Sequence, residues 1–184
     1  SVNNVGCYYY NFATDKVSFM PQGKGHGKLP TGIINDIQEI NDGIVIAYND
    51  GTLAKFNPHT HQVIWVNRYL PQNVTQPYRS YQVFVDRLHN YWVYTGEMAY
   101  YFNAIKKTWK TIDLMVKAVI QDSDNRIWIA TDHEGVLLQD EQGNTIKHFK
   151  NDRANPRSLP DNTIQCLYPD EWGTMWIGTY KNGL

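Results

Sequence analysis

Short runs of alternating apolar and polar residues, separated by clusters of Asp, Asn and Gly, extend along the whole chain. The stretch 117–152 shows the pattern most clearly, as KAVIQDSD, NRIWIATD, GVLLQDEQ and NTIKHFKND follow one another with polar turns between them. Runs of this length and alternation predict β-strands joined by tight turns. No segment keeps a 3.6-residue hydrophobic period, so we expect almost no helix.

The four-strand pattern recurs, and we label the strands of each copy A to D in chain order. The second strands of successive copies align on Val45, Trp92, Trp128 and Trp176, which lie 47, 36 and 48 residues apart. A period of about 40 to 50 residues with several strands per copy is typical of a β-propeller blade. The sequence therefore predicts an all-β protein, a β-propeller of about four repeats built as four-stranded antiparallel blades.

The predicted blades occupy 33–68, 80–113 and 116–150. Two incomplete copies flank them, with C and D strands at 5–20 and A and B strands at 162–184. These halves are complementary. Either the N-terminal strands close a ring, which removes exposed strand edges, or the 184 residues are a fragment of a larger propeller. The sequence leaves both alternatives open, so the chain is predicted to be either a single propeller domain or part of a larger propeller.

Composition excludes several classes of partner. The net charge is −1, with 17 basic and 18 acidic residues and no basic block, so nucleic acid is not expected as a partner. No apolar run approaches the roughly 20 residues that span a bilayer. Membrane association is expected only through downstream segments that this sequence lacks. Cys7 and Cys166 lie in strand-like runs and are expected to be buried, although a disulfide remains open.

The segment 148–184 carries a motif of fifteen residues: Phe149, Asn151, Asp152, Asn155, Pro156, Ser158, Leu159, Asp170, Gly173, Trp176, Ile177, Gly178, Thr179, Gly183 and Leu184. This motif resembles the two-component regulator propeller repeat. The preceding copy keeps Asp122, Trp128, Ile129, Ala130, Thr131, Gly135 and Val136, but has Arg126 where the turn glycine is usual. The two earlier copies are degenerate, so the resemblance is specific over the last third of the chain.

The resemblance implies the extracytoplasmic, periplasmic sensor region of a hybrid two-component histidine kinase and response regulator, of the kind found in Bacteroidetes. Such a region is expected to respond to carbohydrate-derived ligands, and it is not an enzyme, because the kinase parts are absent from these residues. One alternative is a protein-interaction or dimerisation scaffold without direct ligand binding. A propeller lyase or glycoside hydrolase is a third.

Most of the resemblance has a structural explanation. We expect Trp128 and Trp176 to fill the space between blades rather than to serve as sugar platforms. The Asp-x-x-Gly turn is expected to supply the positive φ that the reversal from strand A to strand B requires.

Ligand-binding residues are predicted on one face, where propeller geometry places the B–C turns and the D–A crossings. The candidates are Tyr48, Asp50, Tyr78, Arg79, Glu97, His133, Glu134, Arg157, Tyr180, Lys181 and Asn182. Together they form a polar and aromatic set suited to hydroxyl-rich ligands, although solvated loops without a ligand have a similar composition. The expected partner is an oligosaccharide or other polar small ligand, with further blades or a second copy of the chain.

The spacing of the residues does not support a calcium site, another metal site or a catalytic site. Asp122 and Asp124 resemble the start of a calcium loop, but its sixth and twelfth positions hold Ile127 and His133. His59 has only His61 nearby, with no third metal ligand close in sequence. No pair of carboxylates can be assigned a catalytic role from the sequence. We therefore predict no catalytic residue, metal or cofactor.

Overall fold

The computed structural model describes residues 6–25, 27–71, 74 and 79–181. These residues form strands and turns without a helix, as the sequence predicted, and so contain no helix long and apolar enough to cross a membrane. The strands are β1 Gly6–Asn11, β2 Lys16–Pro21, β3 Ile34–Ile40, β4 Gly43–Tyr48, β5 Thr52–Asn57, β6 Gln62–Arg68, β7 Gln82–Val85, β8 Tyr91–Tyr94, β9 Ala99–Asn103, β10 Thr108–Ile112, β11 Val116–Gln121, β12 Ile127–Thr131, β13 Val136–Gln139, β14 Thr145–Phe149, β15 Ile164–Pro169 and β16 Met175–Thr179.

The chain divides into two compact units, residues 1–83 and 84–184, and β7 crosses the boundary between them. The first unit contains the antiparallel sheet β3-β4-β5-β6 and the hairpin β1-β2. Ile46, Tyr48 and Phe56 of the sheet form its core with Met20 and Leu29. The hairpin is therefore held to the sheet by apolar side chains.

The second unit stacks its sheets face to face. Trp92 of β8 packs in one core with Val119 of β11 and Ile129 of β12. The opposite face of β12 packs through Ala130 against Ile164 and other residues of the pair β15-β16. The β11-β12-β13-β14 sheet thus contributes apolar side chains to the sheets on both of its sides, which is the packing expected of a propeller blade.

The predicted fold class is confirmed, since the complete copies form the four-stranded sheets β3-β4-β5-β6, β7-β8-β9-β10 and β11-β12-β13-β14. β1-β2 and β15-β16 are separate two-stranded sheets. Closure of a ring by the N-terminal strands stays a prediction.

An aspartate closes each A–B turn of the second unit. In the third copy, Asp122 Oδ1 accepts hydrogen bonds from the backbone N–H groups of Asp124 and Arg126, both at 3.0 Å. Its Oδ2 accepts from Trp128 Nε1 at 2.7 Å and from Arg126 Nε at 2.8 Å. Asp170 accepts equivalent bonds in the last copy, including one from Trp176 Nε1 at 2.8 Å. The Asp and the Trp of the repeat are therefore one hydrogen-bonded unit.

The positive φ of this turn falls on the third residue after the aspartate. That residue is Asn125 in the third copy, with φ 64°, and Gly173 in the last, with φ 81°. The assignment of Arg126 to the glycine position was therefore wrong by one residue. Asn substitutes for Gly here because its short polar side chain tolerates the left-handed region.

Burial differs between the two tryptophans that were expected to be core. Trp128 is half-buried and stacks on Phe149, with ring centroids 5.5 Å apart and an interplanar angle of 12°. Trp176 is 49% exposed, so the prediction was wrong for that residue. In the described residues β16 pairs only with β15, so no C and D strands cover its indole. Cys166 of the same pair is likewise exposed, and both it and Cys7 are free thiols.

The three hairpins β1-β2, β5-β6 and β9-β10 share a different device, whereas the β13-β14 turn is closed by Asp140 in the same way as the A–B turns. Asn57 Oδ1 accepts hydrogen bonds from the backbone N–H groups of His59 and Thr60, and Asn11 Oδ1 accepts from Ala13 and Thr14. The residue four positions after the asparagine has a positive φ in three hairpins: Asp15, His61 and Lys107. The β1-β2 hairpin therefore has the turn chemistry of a C–D pair.

Candidate functional site

A cavity of about 420 Å³ opens in the second unit between two B–C turns and one D–A crossing. The turns are 95–98, between β8 and β9, and 132–135, between β12 and β13; the crossing is 113–115, between β10 and β11. The polar side chains that line the cavity are Glu97, Thr111, Asp113, Asp132, His133 and Glu134. Its other walls are Met98, Tyr100, Ile112, Leu114 and Met115.

Threonines at the end of strand B hold both turns. The fully buried Thr131 accepts a hydrogen bond from the backbone N–H of Glu134 at 3.1 Å and donates to the Gly135 carbonyl at 2.8 Å. Thr95 accepts from the backbone N–H groups of Glu97 and Met98, both at 3.2 Å. Because these hydroxyls satisfy the backbone, the side chains at the tips of the turns are not needed to form the turns.

His133 joins the cavity to the next repeat. It has φ 79°, and its Nδ1 lies 3.1 Å from Thr163 Oγ1, beside the start of β15. Its Nε2 lies 3.4 Å from Asp132 Oδ1. The backbone N–H of Gly135 also donates to the Asn162 carbonyl at 2.8 Å. The turn that lines the cavity is thus bonded to the strand pair that follows it.

Ion pairs keep two carboxylates of the cavity charged. Burial would raise the pKa of Asp132, but the hydrogen bond and charge of Lys117, 3.1 Å away, outweigh it and hold that pKa below its ordinary value. The hydrogen bond and charge of Lys150 likewise lower the pKa of Glu134. A general acid needs a raised pKa, so neither carboxyl is suited to proton donation at neutral pH.

Three predicted ligand-binding residues, Glu97, His133 and Glu134, line this one cavity. Asp113 and Met115 also line it but were not predicted, because they lie in a D–A crossing of only three residues that has no unusual composition. The shortness of that crossing was the available signal, since it holds Asp113 and Met115 close to the strand ends on either side.

The other predicted residues of the second unit do not line the cavity. Arg157 lies exposed in the crossing 150–163, where its backbone N–H donates to Asn155 Oδ1. Tyr180 is 65% exposed, and Lys181 Nζ lies 5.8 Å from its ring centroid. Asn182 of this unit and Tyr78 of the first unit lie outside the described residues.

In the first unit, Tyr48 is fully buried and cannot meet a ligand, which corrects its assignment. It ends strand B where Thr95 and Thr131 end theirs, so its side chain points into the core, and burial raises its pKa. Asp50 accepts hydrogen bonds from the N–H and hydroxyl of Thr52, both at 2.9 Å, and so braces its own turn. Arg79 donates its backbone N–H to the Asn49 carbonyl at 2.9 Å.

The histidines considered as metal ligands have other surroundings. His61 Nδ1 lies 3.0 Å from the Tyr9 hydroxyl, and His59 is exposed. Within the described part of the chain, no three His, Cys, Asp or Glu side chains are grouped so that they could hold a metal ion.

Comparison with protein families identifies two repeats. The two-component regulator propeller model matches residues 112–133 and 158–181. The chain therefore carries repeats of this kind, as the resemblance predicted. The first match contains the crossing 113–115 and part of the turn 132–135, both of which line the cavity. The curated proteins give no match.

Solved structures show the same fold. The extracellular domain of the putative hybrid two-component system BT3049 from B. thetaiotaomicron has a TM-score of 0.68 at 22% identity, covering 97% of this chain and 23% of that one. The corresponding domain of BT4673 has a TM-score of 0.68 at 20% identity, with coverages of 96% and 24%. A chain of the mitotic checkpoint complex reaches 0.63 at 9% identity, with coverages of 94% and 50%. This chain thus spans about a quarter of the bacterial domains it resembles, and the fold is common to unrelated functions.

Proposed function

We propose that this chain, which carries two-component regulator propeller repeats, is part of an extracytoplasmic, periplasmic sensor region that binds a carbohydrate-derived ligand in the cavity of its second unit. The module itself performs no catalysis. Binding alters the packing between successive repeats, and the signal is passed to kinase parts outside this sequence.

The position of the cavity carries the proposal. Its crossing and part of its wall belong to a repeat of the matched family, and the turn containing His133 and Gly135 is bonded to Thr163 and Asn162 of the next. A ligand that displaces this turn also displaces the start of β15. Sensing and transmission therefore use the same few hydrogen bonds.

The residues that line the cavity support a saccharide ligand. Carboxylates and a histidine can hydrogen-bond hydroxyl groups, while Met98, Leu114 and Met115 provide an apolar wall for the C–H faces of a sugar ring. The lowered pKa values of Asp132 and Glu134 favour binding over acid catalysis. A periplasmic location agrees with the extracellular domains that share the fold.

Calorimetric titration with a panel of neutral oligosaccharides tests the proposal. Met115→Trp is expected to fill the cavity and to weaken binding at least about tenfold, since Met115 is 40% exposed on its wall. Ile105→Trp is the matched control, because Ile105 is 78% exposed in a C–D turn outside the cavity. Equal binding by both variants would place the ligand elsewhere, and a panel without any binding by the folded chain would overturn direct sensing of neutral saccharides here.

A scaffold role is a second candidate, favoured by the exposed aromatic face of the β1-β2 hairpin. Tyr8, Phe12 and Phe19 are 68%, 91% and 43% exposed, and the Tyr8 and Phe19 rings lie 4.8 Å apart. Apolar surface of this kind often marks an interface. Light scattering over a range of concentrations tests self-association, and a chain that stays monomeric throughout rules out the dimerisation version.

A further inference from the structure

We infer that the ligand of the cavity carries a positive charge, as an amino sugar does, among its hydroxyl groups. The inference rests on the proposed function, because it names the ligand class of that same cavity. It does not depend on the exposed aromatic face of the β1-β2 hairpin.

Carboxylates provide the negative charge of the cavity wall. Glu97, Asp113, Asp132 and Glu134 line it from two turns and the crossing, and no lysine or arginine lines it among the residues that the structure describes. Because the four groups come from three segments, they surround the same space rather than forming a run along one strand. A cleft lined by one sign of charge concentrates ligands of the other sign.

Two carboxylates of this wall are already paired with lysines. Lys117 is 3.1 Å from Asp132, and Lys150 contacts Glu134. An acidic sugar would have to break one of these pairs to gain a lysine partner. A ligand amine needs no such rearrangement.

Asp113 is the carboxylate best placed to receive that amine. It is exposed in the short crossing, and in the described part of the chain its side chain has neither a hydrogen bond nor an ion pair. Its charge is therefore available without loss of an existing contact. Ile112 and Leu114, on either side of it, also line the cavity and offer apolar surface to a sugar ring.

The test measures the binding of three disaccharides by calorimetry. They are the glucosamine disaccharide, the N-acetylglucosamine disaccharide and the galacturonic acid disaccharide. We expect the glucosamine form to bind tightest, by about threefold to tenfold over the neutral acetylated form, and the acidic form weakest. The preference for glucosamine should decrease at high sodium chloride concentration, because salt screens exposed charges.

Asp113→Asn separates charge from shape. The substitution should weaken binding of the glucosamine disaccharide by about threefold and leave binding of the acetylated disaccharide unchanged. Glu171→Gln is the matched control, since Glu171 is an exposed carboxylate in an A–B turn outside the cavity, and it should change neither.

Equal affinity for the glucosamine and acetylated forms, or tightest binding of galacturonate, would overturn the inference and leave the proposed function standing. An equal loss for both sugars in Asp113→Asn would also overturn it. A chain that binds none of these disaccharides, and none of the neutral panel, overturns the proposed function together with the inference.

Discussion

The A–B turns and the B–C turns of the second unit are built on the same strands but use polar side chains differently. In the A–B turns, the carboxylates of Asp122 and Asp170 close the turn and receive the indole N–H of a tryptophan. In the B–C turns, the hydroxyls of Thr95 and Thr131 do the closing. The tips of the B–C turns therefore vary between copies and line a cavity. Repeated polar residues in this chain mark turn formation, and the changing ones mark the candidate site.

One A–B turn departs from the others. Burial raises the pKa of Asp86 despite the hydrogen bonds from Asn90 and Leu88 that act in the opposite sense. Burial also acts on Asp122, but bonds from Trp128 and Arg126 outweigh it and lower that pKa. The equivalent of Arg126 is Asn90, so the turn of Asp86 lacks a cation at this position. The same backbone device can thus favour or disfavour the ionised carboxylate.

The largest effect is expected from removing a turn carboxylate. Asp122→Ala leaves the indole N–H, the Arg126 guanidinium and two backbone N–H groups without their acceptor, which should lower the free energy of unfolding by about 3 kcal/mol. Urea denaturation measures the loss. Asp124→Ala, at a side chain 66% exposed, is the control and should cost about 0.5 kcal/mol. Equal losses would show that the turn does not depend on Asp122.

Lowering the pH should change the stability contributions of Asp122 and Asp86 in opposite directions. The folded pKa of Asp122 lies below its unfolded value, so its contribution to stability is present above the unfolded pKa, near pH 4, and disappears as the pH falls through the folded pKa. Asp122→Asn should therefore flatten the loss of stability in acid. The folded pKa of Asp86 is raised, so its contribution is largest below the unfolded pKa and is lost as the pH rises through the folded pKa.

Urea midpoints measured from about pH 6 down to about pH 2 check this difference. Asp86→Asn should make the loss of stability in acid steeper, because it removes a group that favours proton uptake by the folded state. Two variants with the same slope would contradict the opposite environments of the two carboxyls.

Substitutions at the third residue after the aspartate of the A–B turn should change stability less, through the backbone conformation. Gly173 has φ 81° and open space where a Cβ would lie, so Gly173→Ala should cost about 1 kcal/mol through conformation alone. His89 occupies the same position in the turn of Asp86 with φ 59°, and His89→Gly should gain about 0.5 kcal/mol. Thermal unfolding measures both, and changes of the same sign would contradict the shared geometry.

The smallest effect is expected at the cavity. Asp113→Asn should change the free energy of unfolding by no more than about 0.5 kcal/mol, because the carboxylate is exposed and holds no turn. Urea denaturation beside Asp122→Ala gives the comparison. A loss as large as that of Asp122→Ala would mean that both kinds of turn are structural, and the distinction between them would fail.

The strands were largely predictable because each depends on local alternation and each turn on a few neighbouring residues. Asn125 shows the limit: the turn was recognised, but a glycine was sought one position too late, since only the backbone shows where φ is positive. Trp176 and Tyr48 were misjudged for another reason. Their exposure depends on which strands cover them and which way a strand end faces.

The sequence by itself determined the repeat, the all-β class and the Asp-x-x-Gly turns, because alternation and turn chemistry act over a few adjacent residues. Only the tertiary structure decided which polar residues share a space. Glu97, Asp113 and His133 are distant in sequence, and the stacking of the β8 and β12 sheets brings them to one cavity. That stacking follows from apolar packing between sheets, which a single repeat does not encode.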